Sequence, residues 1–286
     1  MLSLYVAAWI ASISSGFEAI VGKIISKHSV SNPWLFNFFW SFFVLIGITI
    51  SGFWFGLGIP EKWTYIIFGS LMYALVKISF TLALYKIDVS VMGPMFALRT
   101  VMAVLIGSIF LGEILTPYQY LLIGIVFLAG IFVSLDERLN LKSFFNKWIG
   151  VLLICMLCLV FLAMFIKKSS TVNDFWDTIV WVALLGQIWL LFTVKFFKKD
   201  LILTTPQQYG YIGVMALIGT ITSIFANFAY SKNISLSAVI ISLPISMVLA
   251  SLLSRFVPEL LEKHTLRIYA IRFVAAAVMI TVALNL

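Results

Sequence analysis

Residues Leu82–Glu113 read LALYKIDVSVMGPMFALRTVMAVLIGSIFLGE and contain an apolar segment with one arginine, Arg99, near its middle. Much of this stretch occurs a second time, 145 residues later in the chain. The pairs related by this shift include Tyr85 and Tyr230, Ser90 and Ser235, Leu98 and Leu243, and Met102 and Met247. A slip of one residue then aligns Glu113 with Glu259. A repeat of about half the chain, with an ionisable residue inside one copy, is typical of a membrane transporter built from two related halves.

The composition indicates that the solvent around this protein is lipid. Of its 286 residues, 63% are hydrophobic and only 10% are charged. A soluble domain is roughly half apolar and about a quarter charged, so a water-soluble core could not hide this much apolar surface. The net charge of +8 does not indicate a nucleic-acid partner. The basic residues stand singly or in pairs at the ends of apolar runs, where they contact lipid headgroups.

Ten apolar segments are long enough to cross a bilayer as helices, which takes about 20 residues each. They cover 2–25, 33–57, 63–85, 90–111, 118–135, 148–167, 175–197, 209–230, 234–256 and 267–285. The longest polar stretch, Asp136–Lys147, follows the fifth segment and divides the chain into halves 1–140 and 141–286. Because five is an odd number, the second half enters the membrane inverted. The sequence therefore predicts an all-α integral membrane protein with ten transmembrane helices in two inverted five-helix repeats.

This architecture, together with a fourth helix that ends in Gly-Glu before a polar turn and a glycine-containing fifth helix (GEILTPYQYLLIG, 112–124), resembles the EamA-type branch of the drug/metabolite transporter superfamily. The similarity covers essentially the whole chain. The resemblance implies alternating access around a central cavity, with both termini in the cytoplasm. The loops that follow odd-numbered spans hold 12 of the 19 lysines and arginines, which predicts the opposite orientation. Orientation therefore stays open.

A second, local resemblance concerns the first helix. FEAIVGKIISKHS (17–29) is similar to the first helix of the small multidrug-resistance relatives, in which one membrane glutamate carries both proton and substrate. Glu18 stands at the matching place, and the resemblance makes it the expected proton-coupling residue. The second repeat departs from the first at two such positions, with Ala163 opposite Glu18 and Pro244 opposite Arg99.

Three charged residues, Glu18, Lys77 and Arg99, lie well inside predicted spans. A charge at the centre of a membrane helix costs about 2.5–3.5 kcal/mol even on the lenient scale, so each needs a partner or a cavity. Polar and polarizable residues recur near them at helical spacing, and the inverted half offers hydroxyl and amide groups. The predicted substrate-binding residues are Ser14, Glu18, Tyr73, Lys77, Met95, Arg99, Ser223, Asn227, Ser242 and Ser246.

Structural interpretations compete with these functional ones. Glu18 with Lys77 or Arg99 could form an ion pair that only ties helices together, and the serine rows could be close-packing surfaces. Glu113 and Glu259 are expected at helix ends with a role in turn structure. Cys155 and Cys158 lie inside an apolar run and are predicted to be inert buried thiols, so no metal site and no cofactor is expected.

The sequence predicts a secondary transporter in the cell (inner, cytoplasmic) membrane, acting as a monomer or homodimer on a small-molecule substrate within the lipid bilayer. No GxxxxGK[ST] motif for ATP is present. The excess of Lys77 and Arg99 over Glu18 favours a small polar metabolite with an anionic group, such as an amino acid or organic acid. A proton-coupled exporter of cationic drugs or amines, and a lipid flippase, are the alternatives. No enzyme is predicted, because the spans lack the residue pairs that an intramembrane protease needs.

Overall fold

The computed structural model describes residues 3–87, 89–133, 147–253 and 266–285, and the side chains of all of these except 89–97, 131–133, 250–253, 266–269 and 272. Within these ranges all secondary structure is helical and there is no strand. The helices are α1 (Leu4–His28), α2 (Pro33–Trp54), α3 (Thr64–Lys86), α4 (Val89–Leu111), α5 (Pro117–Val133), α6 (Lys147–Ser169), α7 (Phe175–Leu190), α8 (Pro206–Lys232), α9 (Ile234–Ile241), α10 (Ile245–Leu253) and α11 (Leu266–Ala283). A 3-10 helix, Leu191–Phe196, continues α7.

The polar residues between the apolar runs act as helix caps. The Asn32 side chain accepts a hydrogen bond of 2.9 Å from the Trp34 N–H at the start of α2, where Pro33 occupies the first helical position. At the start of α8, Thr205 and Gln208 satisfy each other's free backbone N–H groups in a capping box. These caps explain why the helices begin within a few residues of the positions that the sequence predicts.

Six of the described helices are long and apolar enough to cross a membrane. They are Leu4–His28, Pro33–Trp54, Thr64–Lys86, Lys147–Ser169, Phe175–Phe196 and Pro206–Lys232. The other four predicted spans coincide with shorter described apolar helices at Leu98–Leu111, Pro117–Gly130, Ile234–Leu249 and Phe273–Ala283. The described part of the chain therefore has the make-up of an integral membrane protein.

The predicted ninth span, 234–256, was expected to be continuous, and here the prediction is wrong. The structure ends α9 at Ile241 and begins α10 at Ile245. Pro244 explains the break, because proline has no backbone N–H and its ring clashes with the carbonyl one turn earlier. The side-chain hydroxyl of Ser242 lies 2.7 Å from the Thr100 hydroxyl, which ties the break to α4.

Hydrogen bonds between connections sort the helix ends into two groups. In one group, the Gln208 amide donates to the Ser29 carbonyl at 2.5 Å, joining the α1–α2 turn to the start of α8. In the other, the Gly58 N–H donates to Asp177 at 2.6 Å, joining the α2–α3 connection to the start of α7. Helices α2 and α7 each have one end in the first group and the other end in the second. This is the arrangement expected of helices that cross one membrane.

The packing places a cavity between two hydrophobic clusters. Helix α1 packs along α8, α3 packs along α6 and α7, and α2 packs against α7 and α8. One cluster gathers buried residues mainly from α2, α3, α6 and α7, and the second gathers residues from α4, α5, α8, α9 and α11. Tyr73 and Val76 of the first cluster and Tyr230 and Ile241 of the second line the same cavity.

Candidate functional site

The cavity between the clusters has a volume of about 190 Å³. This is the volume of roughly six water molecules at about 30 Å³ each. Its walls come from α1, α2, α3, α4, α6, α8, α9, α10 and the segment that connects α9 to α10. Most of the wall is apolar, with a few polar groups that converge on the interior, which is the usual make-up of a small-molecule site.

The structure brings eight of the predicted substrate-binding residues together on this wall. They are Glu18, Tyr73, Lys77, Arg99, Ser223, Asn227, Ser242 and Ser246. Ser14 does not line the cavity: its hydroxyl donates to the Ile10 carbonyl of the preceding turn at 2.7 Å, and Ser15 reaches the wall instead. The side chain of Met95 lies outside the described residues.

Lys77 and Glu18 form the first polar group of the cavity. The Lys77 ammonium lies 3.4 Å from the centroid of the Trp40 ring, a cation–π contact with the face of the indole. The Glu18 carboxylate attracts Lys77, and Trp40 and Thr222 line the cavity together with them. Glu18 and Lys77, both described in full, form no direct ion pair. The two opposite charges therefore attract each other without a direct contact.

Gly219 of α8 makes room for this group. A Cβ at residue 219 would lie 2.5 Å from a Glu18 carboxylate oxygen and 2.9 Å from the Trp40 indole nitrogen. Real Cβ atoms do not approach other atoms so closely, so only glycine fits there without a shift of both side chains. Helix α8 thereby fixes how deep the Glu18 carboxylate sits.

Arg99 forms the second polar group. Its side chain is 4% exposed and its guanidinium carbon lies 5.2 Å from the centroid of the Tyr230 ring. The Arg99 Nε is buried and has no hydrogen-bond partner, and no carboxylate in the described part of the chain forms an ion pair with the guanidinium. The neighbouring residue, Thr100, contacts Ser242 at the break between α9 and α10. Arg99 is thus a buried cation without a counter-charge among the residues whose side chains the structure describes.

Sequence reasoning missed Trp40 and Thr222 as parts of the cavity wall. Trp40 lies about two helical turns inside its predicted span, whereas interfacial tryptophans lie at span ends, and this position is a signal that the sequence offers. Thr222 could not be separated from its neighbours by helical spacing alone. Thr220, which that spacing groups with Ser223, faces α2 instead, since a Cβ at Gly47 would lie 2.5 Å from its hydroxyl.

Glu113 lies outside the cavity and holds the start of α9. Its carboxylate accepts hydrogen bonds from the Ile234 N–H at 2.7 Å, the Ser235 N–H at 3.0 Å and the Ser235 hydroxyl at 2.6 Å. The Lys167 ammonium lies 2.5 Å away. Burial favours the neutral acid, but these donors outweigh it and hold the pKa of Glu113 below its ordinary value of 4.5. The predicted structural role of Glu113 at a helix end is confirmed; Glu259 lies outside the described residues.

Cys155 and Cys158 are buried free thiols. Among the residues that the structure describes, no group of three His, Cys, Asp or Glu side chains is placed to hold a metal ion. Some of the other polar groups inside spans link helices, as Asn37 of α2 does by accepting a hydrogen bond from Thr81 of α3 at 3.1 Å.

Comparisons with known proteins agree with this architecture. A solved crystal structure of another protein superposes on 96% of this chain and 94% of its own, with a TM-score of 0.66 at 13% sequence identity. At this identity the likeness shows the fold alone. No curated protein matches the chain in sequence. The sequence profile of the EamA-like transporter family matches residues 2–135. The protein is therefore a multi-pass membrane protein whose residues 2–135 match the EamA-like transporter family, and the resemblance of its sequence to the EamA-type drug/metabolite transporters is confirmed.

Proposed function

We propose that this protein is a secondary transporter that moves a small polar metabolite with an anionic group, such as an amino acid or organic acid, by alternating access. The observation that carries this proposal is the charge of the cavity. Lys77 and Arg99 line it together with one acid, Glu18, so the wall has an excess positive charge. An anionic or zwitterionic solute supplies the missing counter-charge, and buried charges in membrane proteins mark substrate pathways.

Two inverted five-helix repeats, residues 1–140 and 141–286, are the architecture that we propose for this mechanism. The packing is reciprocal in a way that supports it: α1 packs along α8, and α6, its counterpart in the repeat, packs along α3. In the same way α2 packs along α8 and α7 packs along α3. The start of α9 at Ile234 also follows the start of α4 at Val89 by 145 residues. Related halves of this kind rock around a shared central site.

Energy for transport comes from an ion gradient, from exchange or from the gradient of the substrate, because the sequence has no ATP-binding motif. We propose Glu18 as the proton-coupling residue, since it is a buried acid that faces both the cavity and a compensating lysine. The proposed location is the cell (inner, cytoplasmic) membrane. The proposed partners are the solute and the bilayer lipids, with the chain acting as a monomer or homodimer.

Export of cationic drugs or amines is the second candidate. The exposure of the Glu18 carboxylate to the cavity favours it, because a carboxylate beside an aromatic wall can bind an ammonium group. The contact of Lys77 with the Trp40 ring weighs against it, since the protein's own ammonium already occupies that aromatic face.

Uptake into proteoliposomes tests the proposal. The reconstituted protein is expected to catalyse counterflow of labelled amino or organic acids but neither uptake of amines nor scrambling of fluorescent lipids. Arg99→Met should abolish the counterflow while the protein still folds, and Lys62→Met, which removes a charge outside the cavity, should leave it unchanged. Transport of amines alone would replace the proposal by the exporter, and lipid scrambling would replace it by the flippase.

Glu18→Gln tests the coupling separately. If Glu18 carries the proton, substrate-driven proton movement disappears in the variant while pH-independent exchange of substrate persists. Unchanged proton movement would remove Glu18 from the coupling mechanism and leave a uniporter or exchanger as the better account.

A further inference from the structure

We infer that Arg99 and the break between α9 and α10 form a carboxylate subsite, and that the ligand is a small monocarboxylate with an apolar body. The inference rests on the proposed function and narrows its substrate class. Three independent features carry it: the charge balance of the cavity, the free Ser246 N–H at the break, and the largely apolar remainder of the wall.

The charge balance leaves one positive charge for the ligand to neutralise. Glu18 and Lys77 compensate each other, and Lys77 is further stabilised by the face of the Trp40 ring. Arg99 has no such compensation among the described residues, and its buried Nε has no hydrogen-bond partner. A buried polar group left without a partner is costly, so a site of this kind gains most from a ligand that supplies the acceptor. A guanidinium offers a planar fork of donors that matches a carboxylate.

The break supplies one further donor to the cavity that Arg99 lines. Helix α10 has nine residues, and Ser246 in its first turn lines the cavity together with Ser242 and Leu243. The N–H groups of Ile245, Met247 and Val248 donate to the carbonyls of Leu243 and Pro244. The Ser246 N–H has no hydrogen-bond partner in the described part of the chain, and an N–H group in the first turn of a helix carries a partial positive charge. Gly16 lets α1 approach closely there, because a Cβ on it would lie 3.1 Å from the Ser246 nitrogen. The link between Thr100 and Ser242 holds this segment against the arginine helix.

Much of the remaining wall is apolar. Phe80, Leu159, Leu162, Ala163 and Ala226 line the cavity, and Ser223 and Asn227 of α8 add one hydroxyl and one amide. Within about 190 Å³ there is room for one carboxylate and a compact hydrocarbon body. A phosphate monoester carries nearly two negative charges at neutral pH and exceeds the single uncompensated charge of Arg99. The cavity therefore matches a monoanion.

Binding measurements on the full-length protein in detergent test this subsite without requiring transport. The probes share one phenyl body: phenylacetate, the neutral phenylacetamide, the cationic 2-phenylethylamine and the dianionic phenyl phosphate. Wild type is expected to bind phenylacetate more tightly than the other three by calorimetry. Arg99→Met should raise the Kd for phenylacetate about tenfold or more, Arg99→Lys should raise it less, and Lys62→Met should leave it unchanged.

The outcomes separate this inference from the proposed function. Equal binding of phenylacetate and phenylacetamide, tighter binding of phenyl phosphate, or no binding of phenylacetate by wild type would each overturn the carboxylate subsite. If Arg99→Met does not fold, the carboxylate subsite is tested by the order in which wild type binds the four probes and by the Kd of Arg99→Lys for phenylacetate. Counterflow of amino or organic acids that persists in Arg99→Met would leave an anion transporter but remove the subsite. Absence of any anion transport would overturn the proposed function itself.

Discussion

The cavity wall from residues before 140 carries Glu18, Lys77 and Arg99, whereas the wall from residues after 141 carries hydroxyl and amide groups. The shift of 145 residues that relates the two halves sets Glu18 against Ala163, Lys77 against Thr222 and Arg99 against Pro244. Both members of the first two pairs line the cavity. In the third pair, Arg99 lines the cavity and Pro244 causes the break between α9 and α10. At each of these positions the charge is present in one copy only.

This difference in charge shows that a repeat in the sequence does not require a symmetric binding site. In the proposed repeat, side chains at corresponding positions are free to differ. A site with charge on one side and hydroxyl groups on the other binds an asymmetric solute in one orientation. Substitutions that make the two halves alike at these positions test this division.

The largest expected effect comes from Lys77→Thr. This variant places threonine, the residue found 145 positions later at Thr222, where the first half has lysine. Glu18 is then a buried carboxylate without a compensating charge, and we expect a loss of about 3 kcal/mol of stability. Adding Glu18→Ala, the residue of the second half, should restore most of this loss. Thermal unfolding of both variants in detergent measures the effect. A double variant as unstable as the single one would show that the two charges do not compensate each other.

Glu113→Gln sharpens the comparison because Glu113 is a charge of the first half that acts on a helix of the second. Loss of the charged hydrogen bonds to α9 and Lys167 should cost about 2 kcal/mol at neutral pH. The folded pKa of Glu113 is below 4.5, so this stabilisation is present above pH 4.5 and lost as the pH falls below it. Unfolding curves at several pH values should show the two proteins converging in acid. Glu61→Gln, an exposed acid, is the control and should change nothing.

Two glycines of α8 separate cavity effects from helix effects. Gly219→Ala should lower stability by about 1–2 kcal/mol, because its Cβ would displace Glu18 and Trp40. Gly213→Ala, on the same helix with nothing within 4 Å of its Cβ, should raise stability by about 0.5–1 kcal/mol through helix propensity. Thermal unfolding compares them directly. A loss of the same size in both variants would mean that α8 does not hold Glu18 in place.

The smallest effect is expected from Ser246→Ala in the wall of the second half. The hydroxyl is lost but the backbone N–H groups of α10 stay, so the Kd for phenylacetate should rise by only about threefold. Calorimetry measures it beside Arg99→Met. A loss as large as that of the arginine variant would assign the main contact with the carboxylate to the second half.

Particular residues show how far the sequence leads toward the site. Glu18, Lys77 and Arg99 were found because a charge inside an apolar span needs a reason, and all three line one cavity. Ser14 was selected by helical spacing, but a hydroxyl in a helix can bond to the preceding turn, and Ser14 does. The sequence does not predict Trp40 as a cavity residue, because most tryptophans of a membrane protein face lipid or the interface.

The sequence by itself determined the all-helical membrane class and the resemblance to the EamA-like transporters, because hydropathy and short sequence patterns are local properties of the chain. Only the tertiary structure decided which charges compensate each other. Lys77 meets Trp40 and Glu18, from two other helices, while Arg99 meets Tyr230 and no described acid. Charge compensation depends on distances between helices that are far apart in sequence, and packing alone sets those distances.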